Sequence, residues 1–212
     1  SFLQTLFHLP AFRRLIYDMP TTGNEDLKTS IPLNIQRLFY QLQFGNKSCS
    51  TVNLTKSFGW DSNEAFQQND IEEFSRVLID NLEKKMKGTN LQDSIPHLFR
   101  GRFRSYIKCK NVDYKTFKEE TFYDLSLDVK GIPNLSESFK SYLKQDELTG
   151  NNQYNTDEFG KQDAIMGTEF LEFPPVLHIH LRRFKFDIDS ITGMIKIDDH
   201  FEFPETIDLT EY

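Results

Sequence analysis

The stretch Gln67-Gln68-Asn69-Asp70-Ile71-Glu72-Glu73-Phe74 sets amides and then three carboxylates at the head of an apolar-periodic segment. Asp70 and Glu73 are three residues apart, a spacing that puts both on one helix face. A polar, acidic helix start of this kind can grip a basic peptide through charge-assisted hydrogen bonds. The same carboxylates also suit an ordinary helix start, where the macrodipole favours negative side chains. An aromatic turn, Ser57-Phe58-Gly59-Trp60, lies just upstream.

Other candidate chemistry is sparse. Cys49 lies in a polar loop, Asn46-Lys47-Ser48-Cys49-Ser50, with no activating signature beside it. Cys109 closes a strand pattern, and Cys109-Lys110-Asn111-Val112 has one cysteine where a zinc site uses two. Structural zinc takes four N or S donors, so neither a metal nor a cofactor is expected. His178 and His180 share one face of a strand by their spacing, but no third ligand accompanies them. Gly-rich phosphate loops, H-E-x-x-H and G-x-S-x-G are all missing from the sequence.

The elements that must hold the acidic box follow from hydrophobic spacing. Pro32 suits a first helical turn, and Leu38, Phe39 and Leu42 then recur on one face. A longer helix is expected from about 64 to 87, with a stripe of Phe66, Phe74, Val77, Leu78 and Leu82. Lys84, Lys85 and Lys87 followed by Gly88 suit its end. After Pro96 the period changes to two. Phe103, Ser105 and Ile107 alternate with charged or polar neighbours, as do Tyr123, Leu125, Leu127 and Val129. A short helix is expected over 135–144, a turn at Gly150, and a polar loop tip over 155–163. Strands return at 169–173 and 176–186, and a pair follows at 195–197 and 201–203. Helices first and strands later make an α+β arrangement.

Composition narrows the partners. The 212 residues carry 32 acids against 25 bases, for a net charge of −7. Nucleic-acid binding rests on phosphate neutralisation by Lys and Arg, so no nucleic-acid partner is expected, and a basic partner fits better. Two distant cysteines exclude a disulfide framework and point to an intracellular compartment, cytoplasm or nucleus. No apolar run reaches the roughly 18 residues that a membrane helix needs, so no membrane partner is expected. The 20 phenylalanines suggest an aromatic-rich core. The sequence opens with Phe2, Leu3, Leu6 and Phe7 already at helical spacing, and it reads as an excised fragment.

The acidic box resembles the Gln box of the ubiquitin-specific proteases, Q-Q/H-D-A/V-Q-E-F/L. Ser57-Phe58-Gly59-Trp60 resembles the segment before that box in the branch of the herpesvirus-associated ubiquitin-specific protease. Four further blocks agree in family order: Ser1-Phe2-Leu3-Gln4-Thr5-Leu6, Leu98-Phe99-Arg100-Gly101, Pro174-Pro175-Val176-Leu177-His178-Ile179-His180-Leu181-Arg182-Arg183-Phe184, and Phe201-Glu202-Phe203-Pro204. The resemblance implies a partial papain-like fold of that family. In it, 1–98 form a helical thumb, 99–175 β fingers with an inserted short helix, and 176–212 the start of the palm sheet.

It also implies cysteine isopeptidase chemistry. A Cys thiolate attacks the carbonyl after ubiquitin's last glycine, a His acts as base and then as acid, and an Asp or Asn orients it. The family Cys would lie four residues before Ser1 and the His box beyond Tyr212. None of His8, His97, His178, His180 or His200 matches that box, so these residues alone are expected to be inactive. What remains is a surface for ubiquitin and ubiquitinated proteins. Gln68, Asp70 and Glu73 would line the channel for ubiquitin's basic tail, and Phe184 and Phe186 would face ubiquitin or pack in the core. Asn69 departs from the family pattern. Val112, Thr156 and Phe159 stand where three zinc cysteines would be, so the resemblance implies fingers without zinc. The alternative is a catalytically dead family member that only captures ubiquitin, and a third reading is an unrelated α+β interaction domain. Unpaired palm strands would promote association between copies.

Overall fold

Helical spacing governs the first half of the chain and strand spacing the second, and the division falls between Leu98 and Phe99. The computed structural model describes residues 2–22, 24–59, 71–186 and 193–212.

The first unit holds α1 (Phe2–His8), α2 (Pro10–Asp18), α3 (Ile31–Phe44), α4 (Val52–Ser57), α5 (Ile71–Met86) and all but the last residue of α6 (Ser94–Phe99). Pro10 and Pro32 sit in the first turns of α2 and α3, where a missing N–H breaks no helical bond. The apolar stripes turn inward: Phe12 and Ile16 from α2, Ile35 and Phe39 from α3, and Leu78 and Leu82 from α5 are fully buried. Phe39 meets Phe7 and Phe12 edge-on, with centroids 5.4 and 6.2 Å away. The expected long helix is described from Ile71; its expected first residues, 64–70, lie outside the described residues. It stops where expected, at Gly88, whose φ of +76° is a left-handed conformation that favours glycine.

Glu25 ties the loop before α3 to two helices. Its carboxylate accepts from Lys85 Nζ of α5 at 2.7 Å, from the Thr22 N–H at 3.1 Å, and from the Ser30 hydroxyl. Ser30 in turn caps α3 by accepting the Leu33 N–H at 3.3 Å. Lys85 first, and then Ser30, hold the Glu25 carboxyl at about 2 instead of 4.5. A depressed carboxyl pKa stabilises the fold above its unfolded value and loses that contribution as pH falls through the folded one. Glu25→Gln is therefore expected to lower stability at pH 7 by about 1–2 kcal/mol, discounted because water still reaches the carboxylate. In urea titrations the gap to the parent should close between about pH 4.5 and 2.

The second unit is built on a four-stranded antiparallel sheet. Its strands are β1 (Gly101–Cys109), β2 (Lys115–Phe122), β4 (Asp146–Leu148) and β7 (Ala164–Glu172), in the order β2-β1-β7-β4. Gly101 lies so close to Phe122 that a Cβ there would meet the ring at 2.2 Å. β3 (Leu125–Asp128) pairs in parallel with β8 (Ile179–Arg182), with Leu125 opposite Ile179 and Asp128 opposite Arg182. The helix α7 (Leu135–Tyr142) packs on β3; Asn134 caps it through the Glu137 N–H, and Ser138 donates to the Asp128 carbonyl at 2.7 Å. Leu125, Leu127, Val129, Leu135, Phe139, Ile197 and Phe201 form the core of this unit.

Three sequence expectations change here. β2 was not anticipated, because Lys115, Lys118, Glu119 and Glu120 dominate it; as an edge strand it carries charge at little expense. The expected loop tip over 155–163 is a hairpin of β5 (Tyr154–Thr156) and β6 (Gly160–Gln162), with only 157–159 as its turn. The expected pairing of 195–197 with 201–203 does not form. Instead β10 (Met194–Lys196) pairs with β9 (Phe184–Phe186), and Glu202 bridges to Asn134. The segment Asp198-Asp199-His200 is too polar to close a sheet, and Asp199 accepts from the Gly131 N–H instead.

Candidate functional site

Glu73 sits in the first turn of α5 with its side chain exposed, and Glu72 beside it pairs with Arg76 at 2.9 Å. One residue on, Phe74 is buried and meets Phe2 and Phe58 edge-on at 6.0 and 5.2 Å. Three aromatic rings thus pack together beside the first described turn of α5. Phe58 belongs to the aromatic turn Ser57-Phe58-Gly59-Trp60, whose spacing does not reveal a link to Phe74. Such a link is non-local, and spacing alone does not carry it. Gln68 and Asp70 lie outside the described residues, as does Trp60.

Phe184 and Phe186 are 58% and 71% exposed, so neither packs in the core. Both project from the same face of β9. Antiparallel register puts Met194 opposite Phe186 and Lys196 opposite Phe184, so these share that face. Gly193, at φ +70°, leads into β10 against the Phe186 ring. Met194 is not among the site residues expected from sequence. Its signal was the Gly193 turn followed by a short alternation.

The two thiols lie in different surroundings. Cys49 is partly exposed at the edge of a cavity of about 620 Å³, which Phe2, Gln4, Gln41, Lys47 and Ile71 also line. Among the described lining residues there is no His, Asp or Glu to serve as base or orienting group. Cys109 is buried at the end of β1, opposite Ala164. His180 faces the Ser126 hydroxyl at 3.5 Å across the parallel pair, and His178 gives its carbonyl to the Leu125 N–H.

At the β5–β6 hairpin, Thr156 is buried and uses its hydroxyl twice. It donates to the Gly160 carbonyl at 3.0 Å and accepts the Phe159 N–H at 2.9 Å. Nearby, Tyr154 raises the Tyr114 phenol, and burial adds to the effect. Among the described residues no group of three or more His, Cys, Asp or Glu could hold a metal ion, and no helix is long and apolar enough to cross a membrane.

The chain matches the family model described as ubiquitin carboxyl-terminal hydrolase over residues 1–212. It is 49% identical over 209 residues to ubiquitin C-terminal hydrolase 12 of Arabidopsis thaliana, covering 99% of the chain and 19% of that protein. It is 48% identical over 212 residues to ubiquitin carboxyl-terminal hydrolase 7 of Drosophila melanogaster, covering 19% of that protein. Against ubiquitin carboxyl-terminal hydrolase 15 of Saccharomyces cerevisiae the figures are 46% over 212 residues and 17% of the protein. The chain thus spans about a fifth of the length of these curated relatives.

Proposed function

Since the chain belongs to the ubiquitin carboxyl-terminal hydrolase family and has its α+β, papain-like fold, we propose that it is the ubiquitin-reading part of a deubiquitinating cysteine protease. The observation that carries this reading is the family match over all 212 residues. The complete protein hydrolyses the isopeptide bond after ubiquitin's C-terminal glycine. A Cys–His pair outside these residues supplies the chemistry, by thiolate attack on the carbonyl and proton transfer to the leaving lysine amine. Cys49, with no described base in its cavity, and the buried Cys109 support that placement of the nucleophile.

In this reading residues 1–98 are the thumb, 99–175 the fingers and 176–212 the start of the palm. Asp70 and Glu73 take the arginines of ubiquitin's basic tail, and Gln68 bonds its backbone. Phe184 and Phe186 cover an apolar part of ubiquitin, a role their exposure supports. The fingers hold together without zinc through strand pairing and the Thr156 hydroxyl. That feature, with Ser57-Phe58-Gly59-Trp60, favours the branch of the herpesvirus-associated enzyme. The two-residue thiol inventory fits work in the cytoplasm or nucleus.

The double substitution Phe184→Ser/Phe186→Ser tests the aromatic contact. Calorimetric titration should show ubiquitin binding about tenfold weaker or more, since aromatic anchors carry much of an interface's energy. The thermal midpoint should hold, because both rings are already exposed. Unchanged affinity would remove both residues from the surface.

A further inference from the structure

Three aromatic side chains stand exposed on one side of the helical unit: Tyr17 on α2 at 37%, and Tyr40 and Phe44 on α3 at 60% and 64%. They are neighbours. The Tyr17 hydroxyl donates to Gln43 Oε1 at 2.9 Å, and the rings of Tyr40 and Phe44 lie 4.9 Å apart. Leu33, Arg37, Tyr40 and Phe44 recur at helical spacing along α3 and form one stripe. Between this stripe and α2 lies a cavity of about 660 Å³, lined among others by Tyr17, Met19, Leu33, Arg37 and Tyr40. That volume is typical of a site for a ligand or a peptide anchor.

The floor of this groove is fixed. Gln36 donates its amide to the carbonyls of Ile16 and Met19, both at 2.9 Å, and accepts the Thr21 hydroxyl at 3.1 Å. The carbonyls at the C-terminal end of α2 are thereby satisfied by a side chain of α3, which ties the two helices together. Preformed grooves bind with little ordering penalty.

Charge selects the occupant. The chain as a whole is acidic, with a net charge of −7. Among the described lining residues, however, the one charged side chain is Arg37, and it is exposed. Tyr and Arg are also the side chains over-represented where partners bind tightly. We propose that the groove between α2 and α3 docks an acidic peptide segment whose aromatic or aliphatic side chains enter beside Tyr17 and Tyr40 while a carboxylate pairs with Arg37. None of its residues belongs to the ubiquitin-reading surface, so the site stands whether or not that reading does. A second copy of the chain is a poor occupant, because two bodies of charge −7 repel each other.

Fluorescence anisotropy tests this with a fluorescein-labelled peptide in which Asp-Glu pairs alternate with Leu and Phe. A matching peptide with Lys at every acidic position is the control. The acidic peptide should bind the chain saturably, and Arg37→Glu or Tyr40→Ser should each weaken binding about tenfold or more. Both side chains are exposed, so both variants should keep the parent's circular dichroism. The lysine peptide should show no binding that responds to either substitution. The proposal is overturned if the acidic peptide does not saturate, or if its affinity ignores both substitutions. It is equally overturned if sedimentation finds a dimer that Arg37→Glu dissociates, for then the face belongs to a second copy.

Discussion

Glu73→Lys in the complete protein is expected to lower kcat/KM for ubiquitin-linked substrates by roughly 10- to 100-fold. A hydrogen bond between charged groups contributes about 1.5–3 kcal/mol when made and is lost when one partner is reversed. Asp70→Ala should add to the loss if, as proposed, both carboxylates take arginines of the tail. The loss should fall mainly on KM if the tail is held alike in ground and transition states. Stability should be unchanged, since the Glu73 side chain is exposed and its neighbour Glu72 keeps its own pair with Arg76. Steady-state kinetics on a ubiquitin–fluorophore conjugate, alongside a melting curve, would check both parts. An unaltered kcat/KM would take Glu73 out of the tail channel.

Phe139→Ala should have the largest effect on folding. The ring is fully buried on the inner face of α7. It stacks on Tyr212 at 4.8 Å and meets Phe170 and Phe173 edge-on at 6.2 and 6.4 Å. Removing a buried Phe side chain costs about 3–5 kcal/mol in lost transfer energy and residual cavity. A domain's whole stability is only about 5–15 kcal/mol, so the second unit should be close to unfolding at ambient temperature. Urea denaturation followed by far-ultraviolet circular dichroism measures this. A loss below about 1 kcal/mol would mean that the cluster around Phe139 collapses onto the vacancy.

The parts of this fold that the sequence revealed are those where one face is apolar and the other polar. α3 and the described part of α5 each present a stripe toward a single core, and β3 alternates for the same reason. β2 stayed hidden because as an edge strand it buries little and carries charge on both faces. Strand period does not name a partner, so the expected pairing of 195–197 with 201–203 gives way to β9, the strand that meets β10. The Glu25–Lys85 pair joins residues sixty positions apart and leaves no local trace. The site follows the same rule. Glu73 could be located from its helix start, whereas the exposure of Phe184 and Phe186 depends on which sheet face is covered. Met194 joins them only through register.

The most direct test of the central claim is hydrolysis of a ubiquitin–fluorophore conjugate by the complete protein carrying Cys49→Ala and Cys109→Ala, beside the 212-residue chain alone. The account predicts that the doubly substituted protein still releases the fluorophore and that the chain alone releases none. Turnover by the chain alone, or turnover of the complete protein abolished by Cys49→Ala, would put the nucleophile inside these residues and contradict it.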